Sequence, residues 1–254
     1  MAVELYNKGG HLNVMFTDLV GEDTEGVQAN QFLIVSENHA ALIDPGGELT
    51  YSRLFMEVSK YVSPKNLDYI FASHQDPDIV ASIQRWLHGT DCKVVCPEIW
   101  DRFIPHFARG GKTGGRMIPV PDRGMNIQIG KSNIKAIPAH FLHSEGNFQF
   151  YDPVSKILFS GDMGANLGNG DYNKPATSLC EVLHSMEGFH RRYMNSNKVC
   201  RYWANMVRTL DVEWMVPQHG RPLKGKKVIE EFLQWIERLE CGIDLLTQND
   251  YRVP

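Results

Sequence analysis

The sequence predicts an α/β sandwich, two β-sheets face to face with helices on their outer faces. Three observations predict it. Short apolar and β-branched runs recur in both halves of the chain, bounded by turn residues. Each strand-rich half is followed by segments whose apolar residues repeat at helical spacing. The 254 residues, 43% hydrophobic and 22% charged, are enough for one large domain or two small ones with a substantial core. We read residues 1–254 as a single domain.

In chain order, residues 30–36 (NQFLIVS) and 39–44 (HAALID) read as strands joined by a short turn at Glu37-Asn38, and Pro45-Gly46-Gly47 ends the hairpin. Thr50 stands where it can cap a helix reaching about Tyr61, with Leu54, Phe55, Val58 and Tyr61 at helical spacing. Residues 67–73 form a strand that runs into His74. A helix begins near Ile79 and carries Ile83, Trp86 and Leu87. Residues 93–96 are a short strand, and residues 98–107 a helix. The Gly- and Pro-rich stretch 108–124 reads as loop. Two strand pairs follow, 126–129 with 133–137 and 148–151 with 156–159, the second turning at Asp152-Pro153. The last third is more helical: a helix over 197–210, a strand over 213–216, and a long amphipathic helix over 226–246.

Composition excludes several classes of function. A net charge of -4 argues against a nucleic-acid or anionic-membrane surface. No apolar run approaches the roughly 20 residues that span a bilayer. The N-terminus lacks the basic and apolar regions of a signal peptide. The odd count of cysteines, Cys92, Cys96, Cys180, Cys200 and Cys241, points without export to reduced thiols and no chemistry of their own. These features together predict a cytoplasmic protein.

The chemistry gathers at strand ends. In Ser73-His-Gln-Asp-Pro-Asp78 the alternate residues His74, Asp76 and Asp78 can each donate to a metal. On its own the segment is equally a solvated Asp-Pro turn. Three further strand ends change the balance: His143 follows the strand ending near Ala139, Asp162 follows Phe159, and His219 follows Val216, each with Gly or Pro close by. The six donors are three imidazoles and three carboxylates without a thiolate, a set that suits iron or manganese better than zinc.

This pattern resembles the metallo-β-lactamase superfamily, whose first motif is commonly H-x-H-x-D-H. Here it reads His74-x-Asp76-x-Asp78-Ile79. An acidic third position is the mark of the flavodiiron branch, and the 19-residue step from His143 to Asp162 is the spacing of that branch. Glu187-Gly-Phe-His-Arg-Arg-Tyr-Met194 and Pro217-Gln-His-Gly220 are similar to the stand-alone oxygen-binding diiron proteins related to it. The resemblance covers about residues 28–222. It implies the αββα sandwich and two iron ions, one held by His74, Asp76 and His143, the other by Asp78 and His219, with Asp162 bridging. Ile79 departs from the motif. Isoleucine cannot ligate, which leaves the second metal with three protein donors and an open position that suits a small neutral ligand.

The resemblance further implies a protein whose diferrous state binds dioxygen as a diferric-peroxo species, an oxygen sensor or O2-handling protein. Two alternatives stand beside it: an O2 or NO reductase of flavodiiron type, and a binuclear hydrolase acting through a bridging hydroxide. About 32 residues follow Pro222, too few for a flavodoxin domain, so no FMN is expected in this chain. Expected partners are dioxygen and either a chemotaxis signalling protein or a rubredoxin or flavoprotein electron donor; a homodimer is compatible with the reading. His140 competes with His143, but the spacing to Asp162 and the following Ser-x-Gly favour His143. His140 then stands behind the ligands or is merely buried. His190 and Tyr193 are candidates to line the pocket. His11, His39, His88, His106 and His184 read as structural. Gly111-Lys112-Thr113 lacks the preceding glycine and strand of a phosphate-binding loop and is rejected as one.

Overall fold

The computed structural model describes residues 1–21, 26–107, 113–168 and 171–254. Two sheets stack face to face. The first has seven strands in sequence order: β1 (Ala2–Lys8), β2 (His11–Phe16), β3 (Gln31–Ser36), β4 (His39–Ile43), β5 (Leu67–Phe71), β6 (Lys93–Pro97) and β7 (Met117–Val120). β1 to β4 form an antiparallel meander, and β4 to β7 run parallel. The second sheet is built from β8 (Met125–Ile129), β9 (Ser132–Pro138), β10 (Phe148–Asp152), β11 (Ile157–Phe159), β12 (Trp214–Val216) and β13 (Leu223–Lys224), in the order β13-β12-β11-β10-β9-β8.

Helices cover both outer faces. α1 (Tyr51–Val58), α2 (Pro77–Val80) and α3 (Ile83–Gly89) belong to the first half. α4 (Leu183–Tyr193), α5 (Asn197–Val207) and α6 (Lys226–Ile236) belong to the second. Three apolar layers follow from this order. Leu54, Val58, Ile83 and Trp86 pack beneath the first sheet. Phe32, Phe71, Phe148, Phe150 and Phe159 fill the space between the sheets, with Phe71 and Phe150 ring centroids 4.7 Å apart. Trp203, Val207, Phe232 and Leu233 pack against the second sheet. The expected αββα sandwich is therefore the fold. Central strands such as β3 and β10 are buried on both faces, whereas β9 alternates buried and exposed residues.

Several sequence expectations change. The β1–β2 hairpin and β7 stand where no strand was expected; β7 lies inside the stretch read as loop, of which residues 108–112 fall outside the described residues. The same holds for Gly111-Lys112. Residues 98–107 form two 3-10 turns, Glu98–Trp100 and Ile104–Phe107, because Pro105 has no backbone N–H for a continuous helix. The helix expected to begin near Ile79 is two helices, α2 and α3. Thr50 does not cap α1 through its side chain; its hydroxyl donates to Gly47 O. The helix expected over 226–246 ends at Ile236, and the Asn197 side chain takes the carbonyls of Glu237 and Leu239 that a longer helix would have used internally.

Candidate metal centre

The six donors expected from sequence meet at one edge of the sandwich, where β5 leads into His74, β11 into Asp162 and β12 into His219. Asp76 is the residue before α2 and Asp78 lies in its first turn. His143 comes from the loop after β9. His74, Asp76 and His143 present ligand atoms that lie within 4.8 Å of one another.

Asp162 stands at the centre. Its Oδ2 is 3.3 Å from His74 Nε2 and 2.9 Å from His143 Nε2. Asp76 Oδ2 faces the same two imidazoles at 3.7 and 3.3 Å. The other oxygen, Asp162 Oδ1, lies 3.5 Å from His219 Nε2, which is itself 3.5 Å from Asp78 Oδ2. Asp162 is 1% exposed, and its Oδ1 has no hydrogen-bond donor. A buried carboxylate oxygen without a donor is costly unless a cation answers it. The residues present therefore fit two cations that share Asp162.

The charges agree. Burial would raise Asp162, yet His74, His143 and His219 bring it down to about 2. Burial would likewise raise Asp76, but hydrogen bonds from His143 and His74 hold it well below the ordinary carboxylate range. His143 is driven the other way: burial disfavours its charge, and Asp162 and Asp76 overcome that to raise it to about 10. Burial lifts Asp78 above its ordinary value, against the pull of His219. Anionic oxygens and imidazoles are thus balanced only by shared protons, which a cation can replace.

Neighbouring groups orient the imidazoles. His219 Nδ1 donates to Gln28 O at 2.8 Å, since a carbonyl can only accept, and this turns Nε2 to the site. His74 Nδ1 pairs with Ser73 Oγ at 2.9 Å. Asp44 Oδ1 accepts from Ser73 N at 2.9 Å, and burial raises this carboxyl to about 6. Asn30 Nδ2 ties β3 to the His219 loop through Pro217 O and Gly220 O, at 3.0 and 2.9 Å. Gly220 has φ +90°, and a Cβ there would stand 2.0 Å from Asn166 O, so only glycine lets the His219 and Asp162 loops approach.

The donors open into a cavity of about 390 Å³. Its other walls are Val27, Pro77, Leu167, Phe189 and Tyr193. Tyr193 is stacked on Phe189 at 4.7 Å and tilted against the His143 ring at 5.6 Å, so it does line the cavity. His190 does not. It is buried behind the wall, where Nδ1 donates to Met186 O at 2.9 Å and Nε2 accepts from Gly164 N at 3.0 Å. Burial holds it neutral, with a pKa lowered to about 4. His140 lies elsewhere: its Nε2 donates to Asp122 O at 2.8 Å and its ring packs edge-on to Phe148.

Ile79 requires a correction. Its side chain is fully buried in the apolar layer with Leu54, Ile83 and Trp86 and is absent from the cavity wall. Successive residues of a helical turn point about 100° apart, so an inward Asp78 sends Ile79 into the core. The apolar wall comes instead from Val27, Leu167 and Phe189. Sequence reasoning passed over these because an apolar side chain carries no signal of the ligand it faces.

A two-sheet sandwich with three histidines and three aspartates at its strand ends defines a metallo-β-lactamase-fold protein with a two-metal donor set. The chain belongs to the ODP family beta lactamase, whose model matches residues 27–220. It is similar to the chain solved as the peroxy diiron species of chemotaxis sensor ODP, with 38% identity, a TM-score of 0.86, and 98% of this chain and 99% of that one covered. The apo state of the same sensor from T. denticola gives a TM-score of 0.84 at 38% identity over 99% of both chains. The flavodiiron protein of Giardia intestinalis, at 18% identity, shares the fold with a TM-score of 0.71 over 89% of this chain and 57% of its own. An uncharacterised protein of Methanocaldococcus jannaschii is 25% identical over 213 residues, 83% of this chain. The chain spans 36% to 53% of the length of the curated relatives it matches.

Proposed function

We propose that this protein is a non-haem diiron protein that binds dioxygen and acts as an oxygen sensor or O2-handling protein. The observation that carries the reading is Asp162, whose two carboxylate oxygens face two separate donor groups. His74, Asp76 and His143 are assigned to one metal, Asp78 and His219 to the other, and Asp162 to both. Bound iron supplies reversible one-electron redox chemistry at each metal and room for a small diatomic ligand.

The chain's own residues do the rest. Gln28 and Ser73 aim two of the imidazoles. Val27, Leu167 and Phe189 give the cavity an apolar rim beside the donors and offer no proton to a ligand there. Both effects favour holding a neutral diatomic molecule over turning it over. Among the described residues no helix is long and apolar enough to cross a membrane. A cytoplasmic protein, read out by a chemotaxis signalling partner of the kind the sensor relatives imply, fits this site. The hydrolase alternative is disfavoured by the carboxylate-rich donor set.

Elemental analysis and anaerobic titration test the reading together. Protein from iron-replete cells should hold about two irons per chain. Adding O2 to the reduced protein should raise a visible absorbance band in proportion to iron. Stoichiometric zinc that iron cannot displace, or no O2-dependent change in the iron-loaded protein, would overturn the reading.

A further inference from the structure

Outside the metal centre, two buried thiols lie side by side. Cys200 Sγ in α5 and Cys241 Sγ, beyond the end of α6, are 3.8 Å apart across a sequence separation of 41. Both are free cysteines. The backbone on each side is held in place by other bonds. Asp244 Oδ2 accepts from the backbone N–H groups of both Asn197 and Cys241, at 2.6 and 3.3 Å. Ile243 N donates to Asn195 O at 2.9 Å. Gly242 has φ +53°, and a Cβ there would stand 2.2 Å from the carbonyl oxygens of Asn195 and Met194, so glycine alone permits the close approach. The two sulfurs therefore face one another across a junction whose chain segments are already fixed, 3.8 Å apart against the roughly 2.05 Å of a disulfide.

The pair is also chemically uneven. A hydrogen bond from Cys200 lowers the Cys241 thiol, helped by Arg191 and opposed by burial and Asp244. The same bond, with burial, raises Cys200. The more acidic thiol is the better nucleophile at neutral pH, and its neighbour is placed to resolve what it forms.

We propose that Cys200 and Cys241 are a redox site that closes to a reversible disulfide when the protein meets hydrogen peroxide. The Cys241 thiolate attacks one peroxide oxygen. The O–O bond breaks, leaving a sulfenic acid on Cys241 and a hydroxide that takes up a proton as water. The Cys200 sulfur then attacks the Cys241 sulfur. The S–O bond breaks, the S–S bond forms, and the hydroxyl leaves with the Cys200 proton as a second water. The thiols lose two electrons and two protons, one peroxide becomes two waters, and a dithiol reductant reverses the change. The bond ties the start of α5 to the segment after α6. It lies beside Met194 and Asn195, which directly follow the helix that carries Tyr193 into the metal cavity.

The test uses the full iron-loaded chain with Cys180→Ser, which removes the exposed thiol and with it cross-links between copies. After hydrogen peroxide treatment, alkylation and digestion, mass spectrometry should find peptides joined through Cys200 and Cys241, lighter by two hydrogens and separated by dithiothreitol. Cys92 and Cys96 should remain alkylatable once the protein is denatured. In Cys200→Ala and in Cys241→Ala no such intramolecular cross-link should form. Oxidation should also raise Tm by several degrees, since the bond closes a long loop of the unfolded chain. Two results overturn the proposal: both cysteines staying alkylatable after peroxide, or a link that appears only when denaturant accompanies the oxidant.

Discussion

At Asp162 a carboxylate that burial alone would neutralise is held at about 2 by three imidazoles. The two faces of that group make different demands on mutants. Asp162→Ala removes the oxygens that face both donor groups, so both metals should be lost together. His219→Ala leaves the His74, Asp76 and His143 group intact and should release one metal preferentially. His143→Ala should deplete the other, whereas His140→Ala should leave metal content near wild type, because His140 bonds Asp122 O and does not reach the cavity. Iron analysis after dialysis against a weak chelator reads all four. Full occupancy in Asp162→Ala would refute the shared-carboxylate assignment. Equal losses in His140→Ala and His143→Ala would refute the choice between those histidines. The sequence favoured His143 through the 19-residue step to Asp162, a spacing of the family it resembles, and the structure sets His143 Nε2 2.9 Å from Asp162 Oδ2. The fate of Ile79 was not legible, because adjacency to Asp78 in the chain says nothing of which way a helical side chain points.

At the scale of elements, α4 shows how a helix can serve the site without donating to it. Phe189 and Tyr193 face the cavity, while His190, from the same turn, faces the core and accepts from Gly164 N two residues beyond Asp162. A buried N–H left without an acceptor costs about 1–3 kcal/mol. His190→Leu should therefore lower stability by about that amount and loosen the Asp162 loop, which iron affinity would report. His190→Gln can offer an oxygen near the position of Nε2 and should retain most of both. Equal iron affinity in the two variants would mean that the Gly164 contact does not position Asp162. Strands that end in a ligand were readable because short apolar runs stop just before His74, Asp162 and His219. The β1–β2 hairpin and β7 were harder to read. β1 and β7 are only partly buried, and β2, though buried, has His11 and Asn13 among its apolar residues, so neither strict alternation nor a continuous apolar run marks them. The end of α6 was hidden for another reason. Apolar spacing continues through Leu239, and only the Asn197 side chain, from a distant helix, takes its last carbonyls.

Across the whole molecule, the two sheets are joined at both ends. At one end the metal donors bring the His74 strand of the first sheet to the Asp162 and His219 strands of the second. At the other, Asp152 on β10 is bound by groups from both sheets. His11 Nε2 and Asn13 Nδ2 reach its Oδ2 from β2 at 2.6 and 2.8 Å, and Ser155 Oγ donates to the same oxygen at 2.6 Å. Ser132 Oγ and Val154 N bind the other oxygen at 3.2 and 3.0 Å. Burial would raise this carboxyl, but His11, Ser155 and Asn13 bring it down to about 2, from an ordinary 3.8. A folded-state pKa below the unfolded value means that the ionised form stabilises the fold. The contribution is fully present above about pH 4 and is lost as pH falls toward 2. A shift of this size is worth about 2 kcal/mol, and an amide at this position accepts weaker hydrogen bonds from His11, Asn13 and Ser155 than the carboxylate does. Asp152→Asn should thus be about 2 kcal/mol less stable than wild type at pH 6. The gap should narrow as the pH is taken toward 3, since the variant has no carboxylate there to protonate. Urea unfolding of both chelator-treated proteins at a series of pH values measures the gap directly and keeps metal release out of the comparison. A gap that stays constant from pH 6 to pH 3 would show that the charge on Asp152 does not join the sheets, and that its hydrogen bonds do so whichever form it takes.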